Sequence, residues 1–383
     1  MKRIKTAIIG TGFIGRVHLE ALRRLGFVDV AAVAGTSAEK ARALADAFGV
    51  EHATADYRSV LRSRDIQAVH ICTPNAQHFE MASAALDAGK HVLCEKPLAL
   101  TSAEAAALVT LAAAKGVCNA TCHNLRYYPM VQQMRRMREA GELGDVLIAQ
   151  GTYSQDWLLY DTDWNWRVEA RYGGALRAMG DIGSHWCDMA EHVTGQSITS
   201  ICADLATFHQ TRKRPARPTK TFSGKSLKPG DCVDAPVDTE DFGSVLFHLG
   251  DRARGAFTVS QVSAGCKNRL SIEIYGTKAS ASWNQERPDE LWIGHRNGGN
   301  EVVLKDPSLL APAAAAYADL PGGHSEGYDD TFKQLFRRFY QSIPEDGVAA
   351  EYPRFAAGLR QMRVLDAVLA SHRGRAWVDV AAD

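Results

Sequence analysis

The first 123 residues divide into short apolar runs separated by stretches with helical spacing. Lys5–Gly10, Val28–Gly35, Ala68–Cys72, His91–Cys94 and Val117–His123 are near-continuous apolar runs, the pattern of strands covered on both faces. Between them, Phe13–Leu25, Ala38–Phe48, Gln77–Ala88 and an alanine-rich stretch ending near Lys115 space their apolar residues as helices do. Ser37 and Gly49 bracket the second helix, Gly89 closes the third, and Thr101 with Glu104 forms a capping box for the fourth. Strands alternating with helices predict a doubly wound parallel sheet with helices on both faces.

Beyond residue 124 the pattern changes. Val146–Tyr153, Ile198–Thr207, Thr239–Leu249, Ala253–Ser260, Ser271–Tyr275 and Ala279–Trp283 read as strands, several alternating apolar and polar positions. They follow one another without crossover helices, which favours antiparallel pairing. Helices near Gly327–Ser342 and Arg354–Ser371 finish the chain, and no internal repeat is present. The expected fold class is α/β: a doubly wound parallel-sheet domain over 1–124 and a second α/β domain over 125–383.

Composition narrows the function classes. A length of 383 residues suits two domains. Lysine plus arginine and aspartate plus glutamate are 44 each, so no bulk field draws the chain to nucleic acid or to an anionic membrane. No apolar run is long enough to span a bilayer, and the opening residues form a strand and turn instead of a secretory signal. The eight cysteines include no CxxC pair and read as reduced core thiols of a cytoplasmic protein. Cys118, Cys122 and His123 lie on a strand whose alternate residues face opposite ways, so no metal site is expected there.

The chemistry begins at Gly10-Thr11-Gly12-Phe13-Ile14-Gly15. This G-x-G-x-x-G follows the first strand and opens the first helix. Gly10 permits the tight turn, Gly12 lets the backbone approach a pyrophosphate, and Gly15 allows close helix–strand packing. The helix N-terminus supplies free N–H groups for phosphate oxygens. A dinucleotide is therefore expected here. The second strand ends in Gly35, Thr36 and Ser37 with no carboxylate to repel a 2′-phosphate, and Lys40 follows; this leans toward NADP over NAD.

Ligands in such a sheet bind beyond the carboxyl ends of the strands. Two segments lie there. Cys72-Thr73-Pro74-Asn75, with His78 shortly after, begins an irregular turn suited to a nicotinamide and its ribose. Glu95-Lys96-Pro97 places a lysine at a strand end before a proline that fixes the backbone. Downstream, Asp181 and His185 stand four apart, with Asp188 and His192 continuing the series, so they share a helix face. A carboxylate beside an imidazole orients the ring and raises its basicity.

The glycine turn, the Glu95-Lys96-Pro97 triplet and the segment from Gly173-Gly174 to Asp181-Ile182-Gly183-Ser184-His185 together resemble the Gfo/Idh/MocA oxidoreductase family, over the whole chain in order and length. The resemblance implies a Rossmann domain plus an α/β domain with a large, mostly antiparallel open sheet, often used for dimer or tetramer contacts. It implies reversible oxidation of a sugar or cyclitol hydroxyl with NAD or NADP. Lys96, Asp181 and His185 match the family's catalytic lysine, aspartate and histidine. Asn124 matches a position near the nicotinamide, and Lys96–Pro97 looks like the family's cis proline. Many members carry an acid and an arginine where this chain has Gly35 and Thr36, so the resemblance does not set the cofactor preference.

On this reading His185 is the general base, polarised by Asp181, and Lys96 supports the developing alkoxide. Tyr153, Trp157, Tyr160, Trp164 and Trp166, interleaved with Asp156, Asp161 and Asp163, offer aromatic faces and hydroxyl acceptors to a carbohydrate. Tyr153, Trp157, Arg167 and His324 join Lys96, Asp181 and His185 as expected substrate contacts. From Arg212 to Lys228 run seven basic residues and no acid, broken by proline and glycine; this predicts an extended loop, either solvated or attracting an anionic sugar. Two other functions fit the same motifs: a glycosidase that oxidises the sugar transiently with no net cofactor reduction, and a non-catalytic dinucleotide or metabolite sensor.

Overall fold

A computed structural model describes residues 3–216, 229–343 and 351–382. The chain forms two compact units that do not follow it as two blocks. The first comprises the residues up to Asn124 together with Tyr328–Met362; the second comprises Leu125–Gly327 and the residues from Arg363 onward.

In the first unit, strands β1 (Ile4–Ile9), β2 (Val28–Ala34), β3 (His52–Thr54), β4 (Ala68–Ile71), β5 (His91–Cys94) and β6 (Asn119–Thr121) form one sheet. Its order is β3-β2-β1-β4-β5-β6, with every pairing parallel. β1, β4 and β5 are almost wholly buried, as strands covered on both faces must be. Helices α1 (Phe13–Arg23), α2 (Ala38–Ala47), α3 (Tyr57–Arg62), α4 (His78–Asp87) and α5 (Ser102–Lys115) connect them. The predicted caps form: Ser37 accepts the Lys40 N–H at 3.2 Å and Thr101 accepts the Glu104 N–H at 3.2 Å. The Glu104 carboxylate returns to Leu100 N at 3.1 Å, one residue before the cap. The short β3 and α3 lack a clear pattern and were not expected. The helix Tyr328–Ser342 packs on α1 and completes this unit.

The second unit opens with helix α6 (Pro129–Glu139) and contains the short α7 (Ala170–Gly173) and α8 (Ser184–Thr194). Its strands are β7 (Val146–Ser154), β8 (Ile198–Ala206), β9 (Thr211–Pro215), β10 (Cys232–Pro236), β11 (Phe242–Leu249), β12 (Ala253–Ser260), β13 (Arg269–Gly276), β14 (Ser280–Asn284), β15 (Glu290–Gly294), β16 (Glu301–Leu304) and β17 (Val378–Asp379). Nine of them form a sheet of order β16-β15-β14-β13-β7-β12-β11-β8-β17. All its pairings are antiparallel except β7 with β12, which are parallel. The expected mostly antiparallel sheet is present; its one parallel pair, β7 with β12, joins strands that do not follow one another in the chain, with α8, β8 and β11 between them. α6 and α8 pack on each other and against the sheet. Ile148 and Leu246 remain exposed on it, 44% and 51%.

The basic run departs from a solvated loop. Arg212 to Arg214 lie on β9, paired with β10, and Arg212 is fully buried. Arg217, Lys220, Lys225 and Lys228 lie outside the described residues.

Candidate active site

The residues expected to hold the cofactor lie at the first unit's strand ends. Gly10 has φ +121°, and a Cβ there would stand 2.3 Å from the Cys72 carbonyl oxygen. A Cβ on Gly15 would stand 2.0 Å from the Gly10 carbonyl. These two glycines are demanded by the fold. Gly12 is different: a Cβ would meet nothing within 4 Å. Gly12 is also the N-cap of α1, with no side-chain cap and no acidic residue in the first turn. A helix terminus left uncapped, with open space over it, fits an anionic group such as a pyrophosphate. Phe13, half exposed, and Ile14 open that helix.

The loop after β4 fits a ligand by a second observation. The Thr73 hydroxyl is buried with no hydrogen-bond partner among the described residues, a group that a bound polar ligand would satisfy. Pro74 and Asn75 lead into a short 3₁₀ turn over Asn75–Gln77. His78 is fully buried, its Nδ1 2.8 Å from the Pro97 carbonyl and its Nε2 2.9 Å from the Thr73 carbonyl. It therefore ties the two strand-end loops together through their backbones. Burial holds His78 below the ordinary histidine range. Cys72 is buried, with Sγ 3.2 Å from His18 Nδ1, and burial pushes its thiol well up. Glu95 is buried and the Lys96–Pro97 bond is cis. Asn124 is buried and donates to Thr331 Oγ1 at 2.7 Å. Gly35 follows β2; Thr36 is exposed, and Ser37 is committed as the cap of α2.

The acid–imidazole pair belongs to the second unit. Met179–Gly183 forms a π-helical turn, and α8 continues from Ser184. The predicted helix face is therefore built on a wide turn, a feature common at functional sites. Asp181 is gripped from both sides. Arg167 Nε donates to its Oδ1 at 3.2 Å and Gln261 Nε2 donates to its Oδ2 at 2.9 Å. Arg167 also donates to Asn165 Oδ1 at 3.3 Å and lies 4.4 Å from the centre of the Trp166 ring. His185 is buried, with the Tyr153 ring centre 6.5 Å from its own. The Tyr153 hydroxyl donates to Asn268 Oδ1 at 2.8 Å, and burial pushes its pKa well above the ordinary phenol value. Gln155 Nε2 donates to the same Asn268 oxygen, and Trp157 Nε1 donates to Gln155 Oε1, each at 2.8 Å. Asp188 and His192 turn inward: Arg126 forks onto the Asp188 carboxylate, and His192 Nε2 lies 3.1 Å from Gln132 Nε2.

The aromatic segment is shaped from behind. Arg212 donates to the carbonyls of Leu158, Tyr160 and Asp163 at 3.0, 2.8 and 3.2 Å, and to Asp241 Oδ1 at 2.7 Å. Arg177 donates to the same carboxylate. Trp157 and Trp164 pack on Leu158, Val168 and Val237. Tyr160 is exposed, while Asp156 pairs with Lys267 at 2.5 Å. His324 is exposed in a loop held by the buried ammonium of Lys305, which donates to the His324 carbonyl at 2.6 Å and to Glu326 at 3.0 Å. Gln261, Asn268, Arg212 and Asp241 were not legible as site residues. Each acts on a group far away in sequence and belongs to no motif.

An uncapped glycine turn on a parallel sheet, joined in one chain to a carboxylate–imidazole helix beside an open sheet, defines a dinucleotide-dependent oxidoreductase. Residues 4–123 match the oxidoreductase family model with an NAD-binding Rossmann fold, and residues 131–282 match the GFO/IDH/MocA C-terminal domain. The chain belongs to the Gfo/Idh/MocA oxidoreductase family. It is 31% identical to levoglucosan dehydrogenase of Pseudarthrobacter phenanthrenivorans over 397 aligned residues, covering 99% of each. It is 25% identical to glucose-6-phosphate 3-dehydrogenase of Bacillus subtilis, covering 94% of each. Among solved structures it resembles levoglucosan dehydrogenase in complex with NADH and L-sorbose, with TM-score 0.89, 30% identity and full coverage of both chains. It also resembles an inositol dehydrogenase homologue complexed with NAD+ from Azotobacter vinelandii, with TM-score 0.86 and 27% identity, covering 99% of this chain and 97% of that one.

The glycines give a direct test of the cofactor side. Gly12→Val is expected to fold with an unchanged urea midpoint, because its side chain enters open space. It should weaken NAD binding at least about tenfold, since blocking one charge-assisted hydrogen bond removes about 1.5–3 kcal/mol. Titration of protein fluorescence with NAD measures it; unaltered affinity would place the pyrophosphate elsewhere.

Proposed function

We propose that the protein oxidises a secondary hydroxyl of a sugar, sugar derivative or cyclitol, and reduces the corresponding ketone in reverse. The observation that carries this reading is the Asp181 carboxylate held by Arg167 and Gln261 on the turn that leads into His185. Relatives over nearly the full length carry the names of sugar dehydrogenases. The bound nicotinamide supplies the hydride acceptor. The glycine turn at Gly10, Gly12 and Gly15, with the loop at Thr73 and Pro74, would hold it.

His185 takes the hydroxyl proton, and Asp181 favours the imidazolium that results. Lys96 stabilises the alkoxide oxygen as charge develops there. Positioned proton transfer contributes about 10²- to 10⁴-fold. The Trp157–Arg167 segment, stiffened by Arg212 and by the Tyr153–Asn268–Gln155–Trp157 chain, supplies apolar faces for sugar C–H groups. Arg167 serves Asp181, which argues against a free guanidinium waiting for an anionic substrate.

NAD is the expected cofactor. The lean toward NADP loses one support because the Ser37 oxygen is committed to its helix cap, and Glu39 adds a carboxylate to the same turn. Relatives have been solved with NADH and with NAD+. The exposed apolar residues Ile148 and Leu246 on the large sheet support a dimer or tetramer.

The test is a panel of monosaccharides, inositols, anhydrosugars and glycosides, each with NAD and NADP, on protein whose mass is measured by light scattering. Net growth of the reduced-nicotinamide band on a free polyol or anhydrosugar is expected, more with NAD. Glycoside cleavage without net reduction would replace dehydrogenation by the transient-oxidation glycosidase, and no turnover on any compound would leave a sensor.

A further inference from the structure

A chain of buried polar groups runs through the apolar interior of the first unit. His18 on α1, His70 on β4 and Tyr340 on the helix Tyr328–Ser342 are fully enclosed. The Tyr340 hydroxyl lies 2.9 Å from His70 Nε2, and His70 Nδ1 lies 2.9 Å from His18 Nδ1. His18 Nε2 lies 2.9 Å from Glu95 Oε1, and Glu95 Oε2 accepts the Lys96 backbone N–H at 3.3 Å. Phe336 packs its ring against both imidazoles, and Phe332 against His18. In such surroundings an unpaired polar group is costly, so the chain of bonds holds its members in one arrangement.

The hydrogens can be placed. Burial alone would raise the Glu95 carboxyl, but the His18 hydrogen bond and charge, the Lys96 ammonium and the Cys122 thiol hold it below the ordinary carboxylate range. A carboxylate only accepts, so His18 Nε2 carries a hydrogen. Burial, with His18 beside it, holds His70 well below the ordinary histidine range, so His70 has one ring hydrogen. Two settings then satisfy the Tyr340–His70–His18–Glu95 contacts. With neutral His18, Tyr340 donates to His70 and His70 donates to His18. With a second proton on His18, both of those bonds reverse. In either setting His18 Nε2–H donates to Glu95.

His18, Glu95 and Cys122 also stand close enough to converge on a metal cation. Protons account for the cluster: burial and the neighbouring Glu95 carboxylate push the Cys122 thiol well up, so it stays S–H and donates to that carboxylate.

We propose that His18, backed by His70 and Tyr340, is a positioning residue for hydride transfer: it pins the Glu95 carboxylate on the Lys96 N–H and so fixes the strand end that carries Lys96. The inference rests on the role of Lys96 proposed above. Within this unit the titratable groups facing Glu95 are His18 from α1, Cys72 beyond β4, His78 on α4, Cys94 and Lys96 along its own strand end, and Cys122 beyond β6. Without His18, burial dominates, so Glu95 takes up its proton at a higher pH and loses its grip as a pure acceptor.

His18→Leu should therefore lower kcat at least about tenfold, since small displacements of a catalytic group carry such losses. NAD affinity should be unchanged. It should also add a second reversible fall in kcat toward low pH, beyond the one that protonation of the general base His185 gives the wild type. His18→Gln should recover most of kcat and abolish that limb, because its amide N–H₂ can donate to Glu95 while its oxygen accepts from His70. Equal loss in both variants with the wild-type pH profile would make His18 a packing residue and overturn the proposal, as would full activity in His18→Leu. Nitrogen NMR of histidine-labelled wild type, assigned with His18→Gln, needs no destabilised variant; a His18 Nε2 without hydrogen overturns the proposal. Lys96→Met separates the two readings: if it retains turnover, the role of Lys96 fails; if only the His18 variants retain turnover, this inference alone fails.

Discussion

Lys96→Met is expected to lower turnover by at least about 100-fold, as the removal of positioned proton-transfer and oxyanion-stabilising groups does. NAD affinity should stay at the wild-type value. The lysine stands two residues beyond β5, its backbone N–H is held by Glu95, and Pro97 follows at once. The strand end is thus set by the fold and survives the substitution. Methionine keeps the length and apolar stem of the side chain and removes the ammonium. Since the charge develops only as the hydroxyl loses its proton, the loss should appear in kcat with little change in KM for the sugar. Single-turnover kinetics with bound NAD, alongside fluorescence titration of NAD, measures both quantities. Near-wild-type turnover would remove the lysine from the mechanism.

The second large effect lies behind the aromatic segment. Asp241 is fully buried and shared by the guanidiniums of Arg177 and Arg212, both also fully buried. Its other oxygen accepts the Phe208 and His209 N–H groups at 2.7 and 3.1 Å. Burial alone would raise its pKa; Arg177 and Arg212 bring it below the ordinary carboxylate range. Asp241→Asn would leave two buried cations without the carboxylate they share, and removing one member of a buried ionic group costs about 3–5 kcal/mol. The expected result is a large drop in the urea midpoint of the second unit. The pH dependence has a definite sign. The carboxylate's contribution is complete above its unfolded pKa of about 3.9 and is lost as pH falls through the lower folded value. A variant with a wild-type midpoint would show that the arginines do not depend on Asp241.

Arg212 also marks where reading by pattern reaches its limit. In the sequence it opens a run of basic residues broken by proline and glycine, which reads as a solvated or anion-seeking loop. In the structure it clamps the carbonyls of Leu158, Tyr160 and Asp163 from about fifty positions away, 54, 52 and 49 residues respectively. Charge patterning reports which residues are ionised, but it cannot report that a guanidinium will be buried among carbonyls from another segment. The same limit hid Gln261, which steadies Asp181 from 80 residues away. It also hid Tyr340, which meets His70 across 270.

The sequence by itself determined the first unit's alternating strands and helices, the caps at Ser37 and Thr101, and the glycine turn. It also determined that a lysine follows one strand and that a carboxylate and an imidazole stand four apart. These features depend on contacts within one turn or between one strand and its following helix, so residue order carries them. Only the tertiary structure decided that Tyr328–Met362 returns to the first unit, that β7 and β12 pair in parallel, and that Asp181 sits on a π turn between Arg167 and Gln261. It alone decided that Gly12 faces open space while Gly10 and Gly15 do not. Such outcomes depend on which distant surfaces exclude water together, and burial is a property of the assembled chain, not of any segment of it.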